Sequence, residues 1–158
     1  MRHVIYHCFG GTHSSVVAAA IHLGRLDRHR PPSGGALMAL PLFDRGDATL
    51  WGCPRLLGED RHGRRVYVLG RGPQGAATAR ALLAGFQLAG GLAGDQALLL
   101  VDTLACANTL MRVGGFLSRR LGLVRLGRPL VIWGTRRAYP RLVALVEQVE
   151  RGWLGESP

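Results

Sequence analysis

The chain has 158 residues, of which 47% are hydrophobic and 19% are charged, so it is long enough for one globular domain with its own core. No apolar run approaches the roughly 18 residues of a membrane span, and the first residues lack the pattern of a signal peptide. Three cysteines without paired spacing argue against a disulfide framework. These features predict a cytoplasmic protein with no membrane partner.

The formal net charge is +10, and all 20 basic residues are arginine. A basic surface attracts phosphate groups and nucleic acid. However, the arginine-rich stretches 28–30 and 61–65 fall in predicted loops and contain no aromatic residue on which a base could stack. The charge therefore favours a solvated basic surface, and a nucleic-acid-binding adaptor stays open as a third functional class.

Short β-type runs alternate with helical patterns along the chain. In chain order we predict a strand at 3–7, a helix at 14–24, a short helix at 36–40, a hairpin of 55–58 and 65–69, a helix at 74–89, a strand at 97–101, a helix at 104–121, a strand at 130–133 and a helix at 138–151. This order predicts a single α/β domain over residues 1–158. We expect three layers, with a mainly parallel sheet, helices on both of its faces and one inserted β-hairpin.

Four loops of this predicted fold lead from a strand into a helix. They cover residues 7–15, 70–75, 102–108 and 134–140. The carboxyl ends of parallel strands meet at one edge of the sheet, where open α/β folds bind their ligands. We therefore expect the four loops to form one crevice.

The first of these loops reads His7-Cys8-Phe9-Gly10-Gly11-Thr12-His13-Ser14-Ser15. A glycine pair lets the backbone approach a ligand closely, and Ser14 or Ser15 can cap the following helix. The N–H groups at the start of a helix favour an anion. We predict an anion-binding loop that needs no cofactor and whose ligand-binding residues are Gly10, Gly11, Thr12, Ser14 and Ser15.

The same loop carries a thiol and an imidazole. Cys8 is either a nucleophile beside a helix N-terminus or a small buried residue at a strand end. His13 is a candidate anion donor or proton carrier. Asp102 is a candidate general acid, a residue that orients His13 or Arg137, or an N-cap. We expect no metal site, because the Cys and His spacings of zinc sites are absent.

The other three loops supply further candidates for ligand contact, which are Arg71, Thr103, Asn108, Thr135, Arg136 and Arg137. Arg119 and Arg120, by contrast, are interpreted as complementing the negative end of the helix at 104–121. Gly114 and Gly115 within that helix are interpreted as allowing close packing.

The first loop resembles the phosphate loop of low-molecular-weight protein tyrosine phosphatases and their arsenate-reductase relatives, Cys-x-Gly-Asn-x-Cys-Arg-Ser-Pro followed by an alanine-rich helix. The positions that match in register are Cys8, Gly10, Ser15, Ala18 and Ala20. The resemblance implies an anion cradle around Cys8. Ser14 stands where those enzymes carry arginine, so a bidentate clamp is missing unless Arg71, Arg136 or Arg137 replaces it.

Longer stretches of the chain look like an uncharacterised bacterial family, a domain of unknown function. The stretches that carry this resemblance are 7–15, 66–70, 101–103, 114–122, 127–129 and 134–135. The resemblance implies membership of that family and no established activity.

These observations favour a module that binds a phosphorylated or other anionic small molecule at the loop around Cys8. The alternative is a thiol-dependent enzyme, phosphatase-like or reductase-like, that uses Cys8. The missing loop arginine favours the binding module, whereas the thiol in the cradle favours the enzyme. The sequence does not indicate an oligomeric state.

Overall fold

A computed structural model of the protein describes residues 2–46, 48–90 and 97–154. The predicted domain 1–158 also includes residues 1, 47, 91–96 and 155–158, which lie outside the described residues. In chain order the elements are β1 (Arg2–Cys8), α1 (Ser14–His22), α2 (Gly34–Ala39), β2 (Arg55–Glu59), β3 (Arg65–Gly70), α3 (Gly75–Leu88), β4 (Ala97–Asp102), α4 (Thr109–Gly115) and α5 (Val124–Leu154). Short 3₁₀ turns cover Ala48–Leu50 and Leu104–Cys106, and a π-helical turn covers Phe116–Arg120.

The described strands form one four-stranded sheet in the order β2-β3-β1-β4. The strands β3, β1 and β4 run parallel, whereas β2 pairs with β3 in an antiparallel hairpin. The mixed α/β class, the mainly parallel sheet and the hairpin are therefore confirmed. Cys8 pairs with Gly70 and His7 pairs with Asp102, so β1, β3 and β4 end together at one edge of the sheet.

Helix α1 is buried along its whole length. It contacts β1, β3 and α5, and its apolar residues 16–21 belong to the main core. Small side chains at Ala18–Ala20 let the helix approach the sheet closely, which fixes the loop between β1 and α1.

The predicted strand at 130–133 is wrong, because these residues lie inside α5. A short apolar run cannot be assigned to a strand or a helix from its periodicity alone. Two glycines allow this part of α5 to pack closely against α4 and the π-helical turn. A Cβ atom at Gly127 would lie 2.4 Å from the Ser118 amide nitrogen, and one at Gly134 would lie 2.8 Å from the Met111 amide nitrogen. The predicted loop at 134–140 is therefore helix, and three loops, not four, meet at the sheet edge.

The predicted helix at 104–121 is broken into a 3₁₀ turn, α4 and the π-helical turn. Asn108 is extended and accepts a hydrogen bond from the Met111 amide, so α4 begins anew at Thr109. The interpretation of Gly114 as a packing residue is confirmed, since a Cβ there would lie 2.7 Å from the Gly127 carbonyl oxygen.

Candidate functional site

A cavity of about 440 Å³ opens at the carboxyl edge of the sheet. Its walls come from the loop after β1, the irregular segment before β2, and the helical segments after β4. The lining residues are Cys8, Phe9, Gly10, Thr12, His13, Ser14, Gly46, Ala48, Trp51, Leu104, Ala107, Met111, Arg112, Gly115, Phe116, Arg119 and Arg120. Of the four predicted loops, 7–15 forms the floor and 102–108 contributes to the wall, whereas no residue of 70–75 or 134–140 lines this cavity.

The close approach of two loops shapes this floor. Gly11 has a φ of +67°, and a Cβ there would lie 2.4 Å from the Gly70 amide nitrogen, so only glycine fits. The amide of Arg71 donates to the Cys8 carbonyl at 3.0 Å, and the Gly72 amide donates to the Phe9 carbonyl at 2.9 Å. The loop after β3 thereby supports the loop after β1.

Cys8 is buried at the end of β1 and also lines the cavity. The Gly11 amide donates a hydrogen bond to its Sγ at 3.2 Å, and the Ser15 hydroxyl lies 3.3 Å from the same atom. Two potential donors thus surround the sulfur.

The prediction that Ser14 or Ser15 caps α1 is wrong. The N-cap position is His13, and no side chain bonds the first amides of the helix. Ser14 instead lies 2.9 Å from the Thr103 hydroxyl, which itself donates to the His7 carbonyl at 2.9 Å. Because Thr103 has a single hydroxyl proton, Ser14 must be the donor to Thr103. Thr103 is fully buried and lies outside the cavity lining, where it ties β4 to β1.

The imidazole of His13 faces a buried carboxylate that the sequence analysis missed. Its Nε2 lies 3.2 Å from Oδ1 of Asp44, whose side chain is inaccessible to solvent. The Asp44 carboxylate also accepts hydrogen bonds from Ser118 Oγ at 2.9 Å and from Arg128 Nε at 2.9 Å. Burial raises the pKa of Asp44, but the hydrogen bonds from His13, Arg128 and Ser118 outweigh burial and lower the pKa to about 2.

The carboxylate of Asp44 determines which ring nitrogen of His13 donates to it. A carboxylate only accepts hydrogen bonds, so Nε2 of His13 carries a proton. His13 lines the cavity, and its Nδ1 is the nitrogen left for a ligand. The imidazole is therefore held in one orientation, as a proton carrier or anion donor requires.

Asp102 lies in a different cluster. Its carboxylate pairs with Arg71 Nη1 at 3.1 Å, accepts the Leu104 amide at 2.8 Å, and lies 3.8 Å from His7 Nδ1. It therefore orients neither His13 nor Arg137 and caps the 3₁₀ turn. Burial lowers the pKa of His7, and Arg71 lowers it further, against the opposite effect of Asp102. Residues 7 and 8 alternate across β1, which explains why Asp102 and Arg71 do not line the cavity with Cys8.

The remaining predicted ligand contacts lie away from the cavity. Asn108 caps α4 and donates to the Gly134 carbonyl at 2.8 Å. Thr135 is buried inside α5, and its hydroxyl has no hydrogen-bond partner among the described residues. Arg136 is exposed on α5, and the guanidinium of Arg137 lies 5.3 Å from the centre of the Trp133 ring.

Three arginines that the sequence analysis assigned elsewhere, or did not consider, line the cavity: Arg112, Arg119 and Arg120. Arg119 donates to the backbone carbonyls of Asp44 and Gly46. Arg112 and Arg120 form no hydrogen bond or ion pair with any residue that the structure describes. A signal for this cationic wall was present, because residues 103–146 contain eight arginines and no acidic residue.

Two negative findings concern the described residues only. Within 2–46, 48–90 and 97–154 no group of three or more His, Cys, Asp or Glu side chains is arranged to hold a metal ion. Among the same residues, no helix has both the length and the apolar character needed to cross a membrane.

A family model described as "Protein of unknown function (DUF3189)" matches residues 3–151. The chain belongs to this family. The membership confirms the resemblance to an uncharacterised family that the sequence motifs indicated. Comparisons with curated proteins and with solved structures give no match.

Proposed function

We propose that this DUF3189 protein binds a phosphorylated or other anionic small molecule in the cavity beside Cys8, as a binding or regulatory module. The observation that carries the proposal is the charge of the lining. Three arginines line the cavity, and no acidic side chain lines it among the residues that the structure describes. A cavity lined by one sign of charge concentrates ligands of the opposite sign.

The floor of the cavity offers backbone donors to the same ligand. The first hydrogen bond of α1 runs from the Val17 amide to the His13 carbonyl, so the amides of residues 14–16 have no partner within the helix. The positive end of the helix dipole lies at the same place. Because the Ser14 hydroxyl donates to Thr103, we assign the ligand's hydrogen bonds to amides, to Thr12 and to the arginines.

Arg112 and Arg120 supply the guanidinium contact to the anion that was predicted for Arg71, Arg136 or Arg137. Ser14 lacks the guanidinium of the phosphatase loop, and a guanidinium from the opposite wall is the available replacement. The apolar lining residues, among them Trp51 and Met111, would contact the organic part of the ligand.

Thermal unfolding in matched salts tests this proposal. Sodium phosphate is titrated against sodium chloride at equal ionic strength. A ligand that binds the native state alone stabilises it by RT ln(1 + [L]/Kd), so the midpoint rises with the ligand concentration. We expect phosphate to raise the midpoint and chloride to leave it unchanged. Equal midpoints in both salts up to tens of millimolar phosphate would argue against an anion site.

The contacts of Cys8 favour a second candidate function, a thiol-dependent enzyme. The Gly11 amide donates to a sulfur that lines the cavity, and the Ser15 hydroxyl lies within hydrogen-bond distance of the same atom, which suits a thiolate nucleophile. Loss of the loop arginine removes a preorganised donor, which costs roughly a hundredfold or more in rate. We therefore expect turnover of p-nitrophenyl phosphate well below about one per second, the low end of ordinary enzymes. Faster turnover that Cys8→Ser abolishes would make the enzyme the better description.

Two further parts of the proposal concern architecture and location. We propose helices on both faces of the sheet. Tyr6 of β1 contacts His22 of α1, whereas His3, on the opposite face of β1, lies 5.8 Å from the Phe86 ring of α3. We also propose a cytoplasmic location, which the three free cysteines support.

A further inference from the structure

The turn between α4 and α5 exposes an unusual set of side chains. The π-helical turn ends at Arg120, and Gly122, with a φ of +69°, reverses the chain into α5. We call residues 116–126 the hairpin tip. Four large apolar side chains are exposed there: Phe116 (53%), Leu121 (53%), Leu123 (46%) and Leu126 (64%).

The hairpin tip is also cationic. Arg119, Arg120 and Arg125 alternate with the apolar residues and are exposed. No acidic residue occurs between Asp102 and Glu147 in the sequence, and the Asp44 carboxylate, which accepts a hydrogen bond from Ser118, is buried. A patch with this combination has no role in packing the core of the described domain. Large exposed apolar patches mark surfaces that bind a partner.

We propose that the hairpin tip docks on the surface of an anionic lipid bilayer, with its leucines in the headgroup region and its arginines at lipid phosphates. Interfacial membrane binding combines buried apolar area with attraction between basic residues and anionic lipids. The four exposed apolar residues supply the apolar area, and Arg120 and Arg125, which are exposed in the same tip, supply the positive charge. The expectation of no membrane partner rested on the absence of a membrane-spanning segment. Docking at the bilayer surface needs no spanning helix and is therefore a different kind of membrane contact.

The chemistry of the tip favours a bilayer over a nucleic acid. Single-stranded nucleic acid stacks its bases on aromatic side chains, and Phe116 is the one aromatic residue of the tip. Leu121, Leu123 and Leu126 offer a base no stacking face, whereas they partition well into lipid. The proposal stands apart from the proposed function, although Phe116, Arg119 and Arg120 belong to both the tip and the cavity lining.

Sedimentation with vesicles tests the proposal on the full chain. Large unilamellar vesicles of phosphatidylcholine with 30% phosphatidylglycerol, roughly the charge of an anionic leaflet, are compared with pure phosphatidylcholine. We expect binding to the anionic vesicles, weakened by raising the salt from about 50 to 500 mM. Absence of binding, or equal binding to both vesicles, would overturn the proposal.

Matched variants localise the contact. Leu123→Glu with Leu126→Glu should reduce binding at least tenfold, and Arg125→Gln roughly fivefold, as expected for one basic residue at an anionic surface. The controls are Leu88→Glu, a leucine that is 89% exposed on α3, and Arg80→Gln, an exposed arginine on the same helix. Equal losses of vesicle binding in the control variants would contradict a specific contact at the hairpin tip. Binding of a single-stranded oligonucleotide, lost in the leucine variant and without vesicle binding, would overturn the proposal in favour of a nucleic-acid surface.

Discussion

Asp44 and His13 are 31 residues apart in the chain, yet their side chains meet at 3.2 Å beside the cavity. The carboxylate is fully buried, and it also binds Ser118 and Arg128 from two other elements. Asp44 adopts a φ of +50°, which a non-glycine residue rarely does. One ionised side chain therefore joins the loop after β1, the segment before β2, the π-helical turn and α5.

This position predicts a large effect of Asp44→Ala on stability. The substitution leaves donors on His13, Ser118 and Arg128 without their acceptor. Removing one partner of a fully buried ion pair typically costs about 3 kcal/mol or more, and the partial exposure of Arg128 reduces the expected loss to about 2 kcal/mol. Urea denaturation should show a loss of that size in the free energy of unfolding. Ser118→Ala, which removes one of the donors alone, is the milder control. A loss below about 1 kcal/mol for Asp44→Ala would contradict the assigned network.

The His22 site predicts the pH dependence of stability. His22 accepts from Tyr6 Oη at 2.8 Å and donates to the Asp60 carboxylate at 3.0 Å. Burial lowers the pKa of His22 below its usual 6.5, against the opposing effect of Asp60. The unfolded chain therefore binds the proton first, and stability falls as the pH drops below about 6.5.

Burial also lowers the pKa of His7, so a His22 variant is needed to isolate the contribution of His22 to that fall. One proton taken up on unfolding changes the free energy of unfolding by at most about 1.4 kcal/mol per pH unit. We expect His22→Gln to flatten the curve between pH 7 and pH 5. The pKa of Asp60, like that of Asp44, is about 2, so both carboxylates contribute above pH 4 and lose their contribution between roughly pH 4 and pH 2. An unchanged slope in His22→Gln above pH 5 would contradict the assignment.

Two glycines with the same backbone conformation test the packing of the loop. Gly11 and Gly24 have φ values of +67° and +68°, but a Cβ at Gly24 meets nothing within 4 Å. Gly24→Ala should lower the free energy of unfolding by only about 1 kcal/mol, which is the cost of placing an alanine in the left-handed backbone region. Gly11→Ala adds a clash with the backbone of Gly70 and should cost at least twice as much. Chemical denaturation of both variants measures the difference, and equal losses would refute the close approach of the two loops.

The loop around Cys8 could be predicted from local sequence patterns. A buried apolar strand, two glycines and an alanine-rich helix stand next to each other in the sequence, so the loop around Cys8 and its place at the sheet edge were predictable. The hairpin was also predictable from the polar turn between its strands. The run Leu130–Trp133 misled because four apolar residues satisfy a buried strand and a helix equally well.

The rest of the site, which comprises Asp44 and the arginines that line the cavity, depends on contacts between segments that are distant in the sequence. Asp44 lies in an irregular stretch, and its partners are 31, 74 and 84 residues away. Arg112 and Arg120 reach the cavity because α4 and the π-helical turn pack against α5 through Gly114 and Gly127. No local pattern encodes these separations, and the arginines predicted for the site were therefore Arg71, Arg136 and Arg137 instead.

Amide NMR during a phosphate titration tests most directly whether an anion binds between the loop around Cys8 and the cavity wall that carries Arg112, Arg119 and Arg120. We predict saturable shifts at Gly10, Gly11 and Thr12, and none at Gly24. The double variant Arg112→Gln with Arg120→Gln should weaken binding at least tenfold, as expected for lost charge-assisted hydrogen bonds, whereas Arg136→Gln with Arg137→Gln should leave it unchanged. Shifts that never saturate, or equal weakening in both double variants, would contradict the account.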